Sequence, residues 1–148
     1  MLFLKKISII FTVVLASFIQ RLGWLSVLDI KPNVVLVLLL SLVFFIDDSF
    51  FYFILVAAGV FFLKIEPIFD WPIMVLGIIL LVSYWLVKIL PWQKVFNLFF
   101  VITTMTIIFY LIISWKFIFS SPILLTGEIL YNLILGLVFY YLLNYEKI

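Results

Sequence analysis

The chain has 148 residues, nine basic and seven acidic, with 69% hydrophobic residues and a mean hydropathy of +1.48. Soluble domains are roughly a quarter charged and about half apolar, so this chain has too few polar residues to cover a water-facing surface and belongs in a lipid bilayer. It has no His and no Cys, which excludes His- or Cys-ligated metal sites, disulfides, thiol nucleophiles and His-dependent catalytic triads, while a net charge of +2 scattered singly offers no basic patch to nucleic acid.

A transmembrane helix takes about 20 mostly apolar residues. Charges and prolines divide the chain into six apolar runs, which predict spans over 7–28, 33–46, 49–63, 72–88, 95–115 and 122–143. The fold class is an all-α integral membrane protein, one compact bundle of about six transmembrane helices. Five is the alternative, joining 34–63 into one helix. Such a helix would be about 45 Å long and would place Asp47 and Asp48 at mid-membrane, where charge is expensive.

The first span follows Lys5-Lys6. It resembles a signal peptide but lacks a clear small-x-small cleavage site and is followed by further spans, so it is expected to be retained. Ser8, Thr12, Ala16 and Gln20 recur every fourth residue and so share one face. They suit close helix contact inside the bundle, or a docking stripe for a partner's transmembrane helix. The second and third runs are short for a bilayer, so flanking residues or oblique burial within the protein must make up the difference. Pro32-Asn33 suits entry to the second helix, Asp48 or Ser49 a cap on the third, and residues 66–72 a short loop with Pro72 in a first helical turn. Asp47-Asp48 and the Lys64, Glu66, Asp70 group read as loop markers; with no second acidic motif beside them, no enzyme activity, metal or cofactor is expected.

All five Trp residues fall near run ends, where the headgroup zone favours them. Lysines 5, 6, 88, 94 and 147 on one side against Arg21, Lys31, Lys64 and Lys116 on the other place both termini in the cytoplasm, by a margin of one. The fifth span brings Asn97, Thr103, Thr104, Thr106 and Ser114, expected to hydrogen-bond internally. The sixth carries Glu128, the one acidic residue deep in a long run, with Asn132 and Gly136 on the same face. A carboxyl there must be protonated, paired or facing water. Lys116, Lys88 and Lys94 are the candidate partners, with a contact to a partner subunit as the sharper alternative.

The opening Lys31-Pro32-Asn33-Val34-Val35-Leu36-Val37-Leu38, the charged break Asp47-Asp48, Ala58-Gly59 in the third run, Trp71-Pro72 with Gly77, and the closing Pro122 to Tyr145 together resemble the rod shape-determining MreD family of small bacterial inner-membrane proteins. The chain departs from that pattern where Gly59 is the only glycine of the third run and Lys64 and Glu66 follow. The resemblance implies a noncatalytic scaffold of the cell-elongation complex in the bacterial cytoplasmic membrane. Such a scaffold would bind an MreC-like single-span periplasmic protein and connect indirectly to MreB, RodA and its transpeptidase. The MreD fold is itself similar to the substrate-binding component of energy-coupling vitamin transporters, the alternative function. That alternative needs a pocket with several convergent polar groups; the thin polar inventory and short loops argue against a small-molecule ligand. The residues expected to meet a partner are Ser8, Thr12, Ala16 and Gln20 in the first span and Glu128, Asn132 and Gly136 in the sixth.

Overall fold

The computed structural model describes residues 2–27, 30–64 and 70–145. These residues form six helices: α1 (Leu2–Leu22), α2 (Val34–Leu42), α3 (Ser49–Leu63), α4 (Trp71–Ile89), α5 (Lys94–Ser120) and α6 (Pro122–Tyr145). Among the described residues there is no strand beyond a single bridge between Val27 and Ile30. Three of the helices, α4, α5 and α6, are long and apolar enough to cross a membrane.

Local chemistry sets the helix ends. Gly23 adopts φ +67°, a left-handed conformation that costs glycine nothing, and its N–H closes on the Gln20 carbonyl at 3.1 Å. Helix α1 therefore stops at Leu22, short of the end of the 7–28 segment, and residues 23–25 turn. Asn33 caps α2 by accepting the Leu36 N–H at 3.1 Å, and Asp48 caps α3 by accepting the Phe50 and Phe51 N–H groups at 3.1 Å each. Pro72 lies in the first turn of α4, and Pro122 opens α6. Glu66 and Pro67 of the expected 66–72 loop, and Lys147, lie outside the described residues.

The bundle is organised around α2. Its nine residues, Val-Val-Leu-Val-Leu-Leu-Leu-Ser-Leu, have no polar face and all are buried, as expected of a helix enclosed on every side. It touches each of the other five helices, and around it α1 packs on α3, α3 on α4, α4 on α5 and α5 on α6. Among the described residues α1 and α6 do not pack on each other, so the ring has one open seam. Outward-facing Phe11, Phe61, Trp85, Phe96, Ile123 and Ile134 give the bundle an apolar exterior suited to lipid.

Two glycines let neighbours approach α2 from opposite sides. A Cβ at Gly59 would meet Val35 at 3.1 Å, and Leu39 and Val13 at 3.3 Å; one at Gly136 would collide with Ile102 and touch Val37 at 3.5 Å. Each glycine carbonyl also accepts a serine hydroxyl from an adjacent helix, Ser17 to Gly59 at 3.2 Å and Ser41 to Gly136 at 3.4 Å. The same hydroxyls bond the carbonyls four residues back in their own helices. Small residues and shared hydroxyls are the means by which helices associate when burial from water supplies no driving force.

The helices alternate in direction, so α1 starts and α6 ends at one end of the bundle, here called basal. At that end the Lys6 ammonium meets Asp48 at 3.1 Å and lies 4.8 Å from the centre of the Phe51 ring. Lys88 donates to the Tyr84 hydroxyl at 2.7 Å, which donates to the Asp47 carbonyl at 2.6 Å. The N–H of Phe51 first, and then the Lys6 ammonium, hold the Asp48 carboxyl below the ordinary aspartate value of 3.8. A depressed folded-state value stabilises above the unfolded value and is lost as pH falls through the folded one. Acid unfolding monitored below about pH 4 should therefore show a smaller pH dependence in Asp48→Asn than in the wild type, and an unchanged slope would refute the assignment.

Candidate functional site

Toward the end opposite the basal one, here called apical, lie the buried polar residues Asn33, Glu128 and Asn132. Four residues of α6, Glu128, Asn132, Gly136 and Tyr140, are spaced by four and form a buried stripe turned toward α2 and α5. Asn132 is fully enclosed; its Oδ1 accepts the Asn33 backbone N–H at 3.0 Å and its Nδ2 donates to the Thr106 hydroxyl at 3.4 Å. This single side chain ties α6 to the first turn of α2 and to α5. Tyr140 packs between Phe44 and Phe45, with ring centres 6.2 and 5.3 Å away.

Glu128 accepts the Tyr110 hydroxyl at 2.5 Å. Its candidate lysine partners are elsewhere: Lys88 is engaged with Tyr84 and Asp47, Lys94 lies 5.9 Å from the centre of the Phe45 ring, and Lys116 is exposed on α5. The correction has a structural cause. Helix α5 is interrupted at Ser114 (φ −156°, ψ 75°), and the Tyr110 ring stacks on Phe117 across the break at 4.8 Å. The stack holds Tyr110 one turn before the interruption, with its hydroxyl on Glu128. Tyr110 escapes sequence reasoning because its partner is on another helix, and spacing reveals only neighbours on the same one.

The first-span stripe divides in two. Ala16 is buried and Gln20 half-buried, its Oε1 accepting the Val35 N–H at 2.7 Å. That bond satisfies an otherwise orphaned donor in the first turn of α2. Ser8 and Thr12 are exposed, and the Thr12 hydroxyl returns to the Ser8 carbonyl at 2.9 Å. With Leu38 and Leu42 of α2 and Phe139 and Leu143 of α6, they line a groove of about 190 Å³ in the open seam. Asn97 folds back on the α4–α5 connection, donating to the carbonyls of Trp92 at 3.1 Å and Leu90 at 3.3 Å.

A second cavity, of about 260 Å³, occupies the apical end of the same seam, where Gln20, Lys31, Asn33, Tyr110 and Glu128 meet the apolar walls of Ile19 and Phe109. Among the described residues no group of three acidic side chains could hold a metal ion. The arrangement offers hydrogen-bond donors, one carboxyl and one ammonium in a partly apolar enclosure, which is recognition chemistry. No protein-family model, curated protein or solved structure matches the chain.

Proposed function

We propose that this protein is a noncatalytic scaffold of the bacterial cell-elongation complex. It lies in the cytoplasmic membrane with six spans and both termini in the cytoplasm, binds an MreC-like single-span partner, and connects through it to MreB, RodA and the transpeptidase. The sequence resemblance supplies the family. The open seam between α1 and α6 is the observation that carries the reading. Elsewhere each helix of the ring packs on the next, whereas here a groove reaches the central helix, with Ser8 and Thr12 on one wall and Phe139 and Leu143 on the other. Small hydroxyl side chains facing aliphatic and aromatic ones suit close approach by another helix in lipid.

Asn132 and Gly136 are directed inward, so the partner-facing residues of this reading are Ser8 and Thr12 rather than the α6 stripe. Because the chain has no Cys, Ser8→Cys introduces a unique thiol for cross-linking. It is expected to capture a single-span periplasmic protein when the native membrane is treated with a thiol-directed cross-linker. Thr12→Trp, filling the groove from an exposed position, is expected to lower recovery of that partner about tenfold in a mild-detergent pull-down while leaving the thermal melt unchanged. Recovery of an ATPase with its membrane coupling subunit, or of a stoichiometric vitamin, would overturn the scaffold and favour the transporter component.

A further inference from the structure

The apical cavity contains more hydrogen-bonding capacity than the protein uses. Gln20 and Asn33 each give their side-chain oxygen to a backbone N–H of α2, at 2.7 and 3.1 Å. A backbone N–H can be answered only by the oxygen, so the orientation of both amides is fixed and their nitrogens point elsewhere. Among the described residues neither nitrogen has a protein acceptor, and neither is sealed in, since the fully enclosed side-chain atom without a partner there is Oδ1 of Asn97. Glu128 is likewise half-used: Oε2 takes the Tyr110 hydroxyl, and Oε1 has no donor among the described residues. Glu128 and Asn33 are only 7% and 8% exposed, so their unspent groups open into the cavity they line rather than onto the outer surface. Polar groups with unspent hydrogen-bonding capacity that converge on one partly apolar cavity are the means by which a site orients a ligand.

The charges narrow its class. A simple cation drawn to Glu128 would face the Lys31 ammonium, and a simple anion drawn to Lys31 and the amides would face Glu128. A molecule carrying both charges satisfies each group. We propose that the apical cavity binds a zwitterion in which a primary ammonium is joined by a short linker to a phosphate. The ammonium lies against Glu128, and the phosphate takes N–H donors from Gln20, Asn33 and Lys31. Phosphate suits this side because its several acceptor oxygens can receive diverging donors at once. The same chemistry occurs in free phosphoethanolamine and in the headgroup of phosphatidylethanolamine. The site departs from the sequence-based expectation of no small ligand and stands independently of the scaffold reading.

The test is native mass spectrometry of the full-length protein released from nanodiscs of equal phosphatidylethanolamine and phosphatidylglycerol. The wild type is expected to retain phosphatidylethanolamine over phosphatidylglycerol by about tenfold, the scale of one charge-assisted hydrogen bond. Glu128→Gln is expected to abolish that preference. Lys31→Glu, at an exposed position that cannot perturb packing, is expected to weaken retention by a similar factor with an unchanged melt. Displacement of the retained lipid by free phosphoethanolamine would identify the headgroup alone as sufficient; retention in its presence would identify the lipid as the ligand. Equal retention of both lipids together with no binding of free phosphoethanolamine, or a preference that survives both substitutions, would overturn the proposal.

Discussion

Gly59→Leu is expected to destabilise the bundle by more than about 3 kcal/mol, beyond the usual range for overpacking, and Gly136→Leu to act similarly. Three side chains from α1 and α2 already lie 3.1 to 3.3 Å from where a Cβ at residue 59 would be. Four added carbons can be accommodated only by moving helices apart. Separation would also stretch the hydroxyl contacts from Ser17 and Ser41 to the two glycine carbonyls. Gly77 is the internal control. A Cβ there would meet only Val60, at 3.3 Å, on a half-exposed surface, so Gly77→Leu is expected to cost less than about 1 kcal/mol, as surface substitutions commonly do. Unfolding of the three variants in mixed micelles checks the order; equal stability of Gly59→Leu and Gly77→Leu would refute the account of how α2 is approached.

Replacing Asn132 with Leu is expected to cost about 1–3 kcal/mol, the range for stranding a buried polar partner. Interhelical hydrogen bonds in membranes average only about 0.6 kcal/mol, because the separated helices find other partners. Asn132 is placed to exceed that average. It answers the backbone N–H of Asn33, the residue that caps α2, and no helical carbonyl is available to substitute. Thr106→Val removes only the weaker 3.4 Å contact and is expected to cost about 0.5 kcal/mol, so the two variants should differ severalfold in destabilisation. Similar losses from both would show that the α2 link does not dominate. Hydrogen exchange at the first turn of α2 reads the same effect locally and should accelerate only in Asn132→Leu.

Much of the architecture could be read from residue order. Charges, prolines and caps divide the chain into the six observed helices, and Asn33, Asp48, Pro72 and Pro122 occupy the terminal positions their side chains suit. The shortness of the second run required either flanking residues or oblique burial within the protein, and α2 is buried. What order could not supply was pairing between helices. Nothing in the spacing of Gln20 connects it to the Val35 N–H, nor that of Lys6 to Asp48, because those contacts depend on how helices far apart in sequence come together. The α6 stripe was recognisable as one face, yet periodicity alone cannot say whether a polar face meets a partner, a pore or the interior of its own bundle. Charge offers Glu128 three candidate lysines and leaves a partner contact open, whereas its hydrogen-bond donor is Tyr110, one turn before the interruption at Ser114.

The enclosure of α2 also governs how the chain can be made. A nine-residue helix is about 13 Å long, less than half the thickness of the hydrocarbon core at about 30 Å, so this one cannot span a bilayer by itself. It precedes α3 to α6 in the chain, yet one side of it is covered by α5 and by Asn132 and Gly136 of α6, which come much later. During synthesis, therefore, the centre of the molecule waits for its periphery. A chain halted before α6 would carry the Asn33 N–H unanswered and one side of α2 uncovered by protein.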